Sequence, residues 1–152
     1  MKQTEEVSRL GSTPAPGGKS DVVGAAALGL TPGQVVQELG WDADVDEDLR
    51  EAVMDAIDAD LVEDPIEAVD SVMVWWRSED GDVADGLMDA LRDLSNSGHV
   101  WLLTPKVGRD GYVDPADIAE GAVTAGLTLA NPASVSRDWQ AQKLVRPRSV
   151  RR

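Results

Sequence analysis

The chain has 152 residues, a formal net charge of −14 and no cysteine. A chain of this length can form one domain and bury a sizeable core without disulfides or a structural metal. The lack of cysteine excludes disulfides, thiolate zinc sites and thiol catalysis, and it fits a reducing cytoplasm. No apolar run approaches the roughly 18 residues of a membrane span, and the first residues do not resemble a secretory signal. We therefore expect a cytoplasmic location and no membrane partner.

The negative charge is concentrated in the middle of the chain, where residues 38–93 hold 20 acidic and three basic side chains. The last ten residues, 143–152, hold five cations and no anion. An acidic body of this kind repels polyphosphate, so we expect no nucleic-acid partner and an attraction to basic proteins. A need for solubility would also account for the charge.

Three segments differ in composition, and they define the expected domain organisation. Residues 1–21 are rich in Ser, Thr, Pro and Gly, which predicts a disordered N-terminal lead. Residues 22–146 carry the apolar patterns of a single α/β domain. Residues 147–152 are expected to form a flexible basic tail.

Apolar periodicity and turn residues predict strands and helices that alternate through the domain. The clearest helix places Leu49, Val53 and Ile57 on one stripe, after a cluster of acidic residues that favour a helix N-terminus. In chain order the sequence first predicts one or two helical turns at 22–28, a strand at 34–39, a helix at 44–57 and an extended piece at 60–62. It then predicts a strand at 69–76, a helix at 82–94 that is stopped by 95–98, and a strand at 99–103. The last predicted elements are a helix opened by Asp114 and Pro115 and ended by Gly126, and strands at 127–135 and 142–145.

The strand at 69–76 gives the best architectural clue. Neighbouring strand residues point to opposite faces, so Trp75 and Met73 share one face while Trp76 shares the other with Val72 and Val74. A strand that is apolar on both faces belongs in the middle of a covered sheet. The alternating order therefore predicts a mostly parallel sheet with helices on both faces and an antiparallel closing hairpin.

Four segments of the chain carry a resemblance to a known bacterial family. They are LGLTPGQVVQELGWDADVDEDLR at 28–50, VMVWWR at 72–77, VWLLTPKVGRDGYVDPADIAE at 100–120 and VSRDWQAQKLV at 135–145. They resemble the domain of unknown function (DUF) 3052 family, and the element order resembles the class I methyltransferase-like, Rossmann-like fold. The resemblance implies an α/β fold with a mostly parallel, methyltransferase-like three-layer sheet and an antiparallel C-terminal hairpin. The family has no established activity, so the resemblance supplies a fold more than a function.

Ordinary members of the methyltransferase fold hold their cofactor with a glycine-rich turn after the first strand, because glycines let the backbone approach the ligand closely. The corresponding turn here, residues 39–44, reads LGWDAD and holds one glycine and a bulky Trp. We therefore expect no bound cofactor. We expect no metal either, since the acidic run from Asp42 to Asp48 lacks the glycine and glutamate of a calcium loop and suits helix capping.

In an open parallel sheet, a ligand lies at the carboxyl ends of the strands. The residues predicted there line any ligand-binding cleft that exists, and Lys106 and Arg109 could equally neutralise nearby acidic side chains. These candidate ligand-binding residues are Trp41, Asp42, Trp76, Arg77, Thr104, Lys106 and Arg109.

A second group of residues is a candidate partner-binding site. Trp139 lies between predicted elements beside Arg137 and Asp138, and exposed Trp and Arg dominate interface energetics. A lid that closes the end of the core is the alternative role for Trp139. The only histidine, His99, opens a predicted strand and is expected to be structural, and no serine has a neighbouring base, so we expect no catalytic residues.

These observations favour a non-catalytic methyltransferase-like module that binds another protein as an adaptor or regulator. The alternative is a small-ligand-binding domain or atypical transferase that uses the cleft at the carboxyl ends of the strands. The sequence leaves it open whether the protein is an enzyme, and it favours one that is not.

Overall fold

The computed structural model describes residues 25–147 of the chain. The predicted lead at 1–21, residues 22–24 of the first predicted helical turns and residues 148–152 of the predicted tail lie outside the described residues, whereas residues 25–27 are helical. The elements of the described part are strand β1 (Val36–Leu39), helix α1 (Glu47–Ile57), strand β2 (Val69–Trp75), a 3₁₀ turn (Ser78–Asp80), helix α2 (Val83–Leu91), strand β3 (Leu94–Pro105), helix α3 (Pro115–Ala125), strand β4 (Thr128–Ser134) and strand β5 (Trp139–Val145).

The five strands form one sheet in the order β1-β2-β3-β5-β4. β1, β2 and β3 are mutually parallel, whereas β5 runs antiparallel to both β3 and β4. The predicted α/β fold, with a mostly parallel sheet and an antiparallel C-terminal hairpin, is confirmed.

The strand with two neighbouring tryptophans lies inside the sheet and separates two cores. Met73 and Trp75 belong to the core on the face that α1 covers, here called the α1 face. Val72 and Val74 belong to the core on the face that α2 and α3 cover, the α2/α3 face, and Trp76 packs against it. The predicted division of these side chains between the faces is confirmed.

Each helix buries one apolar stripe on its face of the sheet. Leu49, Val53 and Ile57 of α1 are buried on one face, and Leu87 of α2 and Ile118 of α3 are buried on the other. Burial of such a side chain contributes about 1.5–3 kcal/mol to stability. None of the helices in the described residues combines the length and apolarity that a membrane crossing requires.

Aspartate caps fix where the helices begin. Asp46, Asp82 and Asp114 accept hydrogen bonds from Leu49 N, Ala84 N and Ala116 N, so each satisfies a backbone donor of the first turn. The predicted Asp114 cap is confirmed. The predicted helix start at Asp44 is wrong, since the cap is Asp46 and the helix begins at the next residue.

The boundary between α2 and β3 also differs from the sequence prediction. The sequence predicts that the helix continues to Leu94 and stops at 95–98, but β3 already begins at Leu94. Leu94 pairs with Val69 of β2, and Val69 N donates to Asp93 O at 2.8 Å. The register then shifts before Ser71 pairs with His99, so residues 95–98 form an irregular stretch of strand instead of a loop.

The pairing of Val62 shows where the strand order reverses. This residue forms a parallel bridge with Gln37: Val62 N donates to Val36 O at 3.0 Å, and Glu38 N donates to Val62 O at 2.9 Å. These groups lie on the outer edge of β1, away from β2. The chain therefore passes from β1 through α1 to the outer edge before it returns to β2, which makes the β1–β2 junction a topological switch point. The predicted extended piece at 60–62 includes this bridge.

The two strand ends approach closely at this junction, where Gly40 lies against Trp75. The φ of Gly40 is +78°, and an added Cβ would overlap the backbone carbonyl oxygen of Trp75. Gly108 has a similar φ of +88° with nothing near its Cβ position. We predict that G108A lowers the free energy of unfolding by about 1–2 kcal/mol and G40A by about 3–5 kcal/mol, because only G40A adds a steric overlap to the left-handed conformation. Urea denaturation measures both values, and equal losses would contradict the close approach.

Candidate functional site

In an open α/β sheet, a ligand binds at the carboxyl ends of the strands where the strand order reverses. In this structure that position is at the carboxyl ends of β1 and β2. The chain leaves β1 toward the α1 face and leaves β2 toward the α2/α3 face, so a crevice would open between the two strand ends. Four connections border this end of the described structure: residues 40–46, 76–82, 106–114 and 135–138.

Arg77 occupies this crevice. Its Nη1 donates to Gly40 O at 2.7 Å and to Trp75 O at 3.3 Å, which joins the backbone that follows β1 to the end of β2. Its Nε and Nη2 donate to the two carboxylate oxygens of Asp44, and Asp80 lies 3.4 Å from Nη1. The side chain is only 7% exposed. The guanidinium thus already occupies the acceptors that a cationic ligand would need.

Trp139 covers the guanidinium of Arg77. The Arg77 Cζ lies 5.4 Å from the Trp139 ring centroid, a cation–π arrangement. The Trp139 ring meets Trp75 edge to face at 4.9 Å, and its Nε1 donates to Asp44 O at 3.3 Å. An indole of the core, a cation and a carboxylate therefore hold each other in one arrangement.

The pKa values follow from this arrangement. The hydrogen bond from Arg77 lowers the pKa of Asp44 below its ordinary value of 3.8, and partial burial opposes the shift. Burial alone would lower the pKa of Arg77, but the hydrogen bonds and charges of Asp44 and Asp80 outweigh it and raise that pKa. Both groups are therefore charged at neutral pH.

A second ion pair joins β1 to α1. Glu38 of β1 is buried and accepts two hydrogen bonds from Arg50, at 2.6 and 2.7 Å, and one from Trp75 Nε1 at 2.8 Å. The hydrogen bonds with Glu38, and to a smaller extent with Glu47, raise the pKa of Arg50 although burial opposes them. Trp41 Nε1 donates to Glu47 at 3.1 Å, so the exposed indole is tied to α1.

The structure separates the predicted ligand-binding residues instead of collecting them in one cleft. Trp76 packs on Gly86 of α2, Thr104 is buried within β3, and Asp42 accepts a hydrogen bond from the neighbouring Ala43 N. Lys106 Nζ donates to Ser134 Oγ at 2.8 Å. Arg109 pairs with Asp138 at 3.2 Å, which agrees with the neutralising role considered for it.

Of the two roles considered for Trp139, an exposed anchor is excluded, since the residue is only 3% exposed. The lid role is the one the structure supports: Trp139 opens β5 and lies against Trp75 and Arg77. Arg137 is exposed and Asp138 is half-buried. Their role in partner binding stays a prediction.

A cavity of about 420 Å³ lies beside the filled crevice. Its wall is mainly polar and carries three carboxylates and one cation, while Trp139 contributes an aromatic surface. The residues that line it are Asp44, Pro105, Gly108, Arg109, Asp110, Asp138 and Trp139. Of the predicted ligand-binding residues, only Arg109 lines this cavity, and sequence reasoning missed Asp44 and Asp110.

Comparison with known proteins shows the family. Residues 25–148 match the family described as "Protein of unknown function (DUF3052)". The chain belongs to the DUF3052 family. Uncharacterised proteins of Mycobacterium tuberculosis and Mycobacterium bovis are 45% identical to it over 126 residues, which cover 82% of this chain and 79% of theirs.

Solved structures with a similar fold include methyltransferases and a biosynthetic protein. Magnesium protoporphyrin IX methyltransferase of Synechocystis, solved with bound S-adenosylmethionine, is 12% identical with a TM-score of 0.52 and covers 86% of this chain and 78% of its own. The CcbJ methyltransferase of Streptomyces caelestis is 13% identical with a TM-score of 0.54 and coverages of 88% and 90%. The pyocyanin biosynthetic protein PhzM is 10% identical with a TM-score of 0.60 and coverages of 84% and 55%. At these identities the similarity shows the methyltransferase-like fold alone.

The residues of this DUF3052 protein do not fit S-adenosylmethionine at the crevice. A cofactor there would have to displace the Arg77 guanidinium from Gly40 O, Trp75 O and Asp44. The single glycine of the turn, Gly40, lies against the Trp75 carbonyl, so its lack of a side chain serves the approach of the two strand ends.

Removal of Arg77 tests its structural role. We predict that R77A lowers the free energy of unfolding by about 3 kcal/mol, because Gly40 O and Trp75 O lose their buried donor. R109Q is the matched control, since it breaks a half-exposed pair at the same end of the sheet and should cost less than about 1 kcal/mol. Urea denaturation measures both. A loss for R77A no larger than that for R109Q would contradict the proposed anchoring.

The Asp44–Arg77 pair predicts a pH dependence. The folded pKa of Asp44 is depressed, so its contribution to stability is present above the unfolded pKa, near 3.8, and is lost as pH falls through the folded pKa. We therefore expect D44N to be less stable than the natural chain at neutral pH, with a difference that shrinks below the ordinary value of 3.8. D48N, which changes an exposed carboxylate of α1, controls for net charge. Urea denaturation across the acidic range tests this, and a difference independent of pH would contradict it.

Proposed function

We propose that this DUF3052 protein is a non-catalytic, methyltransferase-like module that binds another protein and acts as an adaptor or regulator. The observation that carries the proposal is the Arg77 guanidinium in the β1–β2 crevice, with its acceptors Gly40 O, Trp75 O and Asp44. A chain that fills its own cofactor crevice keeps the sheet as a scaffold and leaves its rim for other contacts.

The rim above the crevice has the chemistry of a protein-binding surface. Trp41, on the connection 40–46, is 53% exposed, and Val107 is exposed on the connection 106–114. Exposed aromatic side chains supply much of the energy of protein interfaces. The nearby cavity presents the carboxylates of Asp44, Asp110 and Asp138. Together with the net charge of −14, this supports a partner that inserts a basic side chain.

The same cavity favours a second candidate function, a small-ligand-binding domain or atypical transferase. Its volume of about 420 Å³ lies at the lower end of the range for small-molecule sites. Arg109 gives it one cation for a ligand acid group, but that cation is paired with Asp138. The filled crevice favours the protein-binding proposal over this one.

A cofactor titration discriminates between the two functions. We expect S-adenosylmethionine and adenine nucleotides, at concentrations far above typical cofactor affinities, to leave tryptophan emission and melting temperature unchanged. Trp41 and Trp139 make the assay sensitive, because both lie at this end of the sheet. A ligand present at about 100 times its Kd would add about 2.7 kcal/mol of stability, so a cofactor-induced rise in melting temperature would favour the alternative.

Partner capture tests the protein-binding function directly. The natural chain, immobilised and exposed to an extract of its own cells, should retain a stoichiometric partner that is eluted by salt. W41A should lose this partner through loss of the aromatic contact. I66A is the matched control, since Ile66 is 98% exposed and lies outside the rim. Recovery of no stoichiometric protein, or equal recovery by W41A, would count against the proposed surface.

A further inference from the structure

A basic groove lies at the amino end of the sheet, opposite the crevice. It is formed where the start of β3 pairs with the end of β5, with His99 opposite Val145. We call it the amino-end groove, and its volume is about 800 Å³. The residues that line it are Asn96, Ser97, Gly98, His99, Lys143, Val145, Arg146 and Pro147. The groove includes two cations, an imidazole, a hydroxyl and an amide, and no carboxylate.

The cations of the amino-end groove differ from most others in the described residues. Arg50 and Arg77 are held by carboxylates, as is Arg109. Within residues 25–147, no carboxylate forms an ion pair with Lys143 or Arg146. In a chain with 28 acidic and 14 basic side chains, these two cations are thus kept apart from a large excess of possible partners.

Both cations of the amino-end groove contact neighbouring groups. Arg146 Nη2 donates to Leu94 O at 3.0 Å, and its buried Nε has no acceptor in the described residues. Lys143 Nζ lies 5.9 Å from the Trp101 ring centroid. His99 meets the same indole edge to face at 6.1 Å, and its buried Nε2 has no partner in the described part of the chain.

The positive charge of Lys143 acts on His99 within the groove. Burial lowers the pKa of His99, and the positive charge of Lys143 lowers it further, while Asp70 on β2 partly opposes both effects. An anion in the groove would pair with Lys143 and with the part of the Arg146 guanidinium that lines the groove. Ser97 and Asn96 offer further donors at the border of the groove.

We propose that the amino-end groove binds a small molecule through a phosphate group. A volume of about 800 Å³ suits a small ligand. A long polyanion is disfavoured, because the cations are confined to one groove on a protein of net charge −14. This inference is independent of the partner-binding function, which concerns the opposite end of the sheet.

Titration of the full chain with inorganic phosphate, pyrophosphate and ribose 5-phosphate at constant ionic strength tests the proposal by NMR. We expect shifts of the backbone amides at 96–99 and 143–146 with a Kd of about 1 mM or tighter. K143Q and R146Q should each weaken binding about tenfold, which corresponds to the loss of one charge-assisted hydrogen bond. K106Q is the matched control, because Lys106 lies at the carboxyl end of the sheet and should leave the Kd unchanged.

The outcomes separate the proposal from nonspecific ion binding. Tighter binding of the sugar phosphate than of inorganic phosphate identifies an ester as the ligand, whereas equal affinity identifies free phosphate, and either supports the proposal. Absence of these shifts would overturn the proposal. A Kd for K143Q equal to that for K106Q would also overturn it. K143Q keeps the test decisive even if R146Q fails to fold, since Lys143 makes no hydrogen bond to the described backbone that the fold would lose.

Discussion

The contact of the Arg77 guanidinium with the carbonyl oxygen of Gly40 is the interaction on which the carboxyl end of this structure depends. One side chain joins the connection after β1, the end of β2, the 3₁₀ turn through Asp80 and the lid formed by Trp139. A buried guanidinium is stable only when acceptors satisfy its donors. Here backbone carbonyls and two carboxylates do so, which explains why a cation is tolerated between two strand ends.

The topology creates the need for this side chain. α1 lies on one face and α2 on the other although β1 and β2 are neighbours, so the connections after the two strands diverge. Divergent connections leave a crevice at the strand ends, where related folds place ligands. The strand order reverses through a single paired residue, Val62, which bridges to the outer edge of β1. The chain thus keeps the reversal of strand order while its own arginine and tryptophan fill the space between the strand ends.

Local patterns predicted most of the fold. The two tryptophans at 75 and 76 showed that β2 is covered on both faces, and Asp114 with Pro115 marked the start of α3. The start of β3 was missed because the pairing of Leu94 with Val69 is a nonlocal contact that helical periodicity does not register. The sequence placed Arg77 at the strand end but could not show that Asp44, 33 residues earlier, receives it. Glu38 was an available signal of buried ion pairing, since it falls on the same strand face as Val36 and a buried acid requires a partner.

The central claim is that the Arg77 guanidinium is fixed in the crevice by its acceptors. Side-chain nitrogen NMR of the arginines measures this most directly through the rotation about the Nε–Cζ bond and the exchange of the Nε proton with water. The account predicts slow rotation and slow exchange for Arg77, and fast rotation and exchange for Arg92, whose pair with Asp89 is exposed. Fast rotation and exchange at Arg77, matching Arg92, would mean that the crevice is open and would contradict the account.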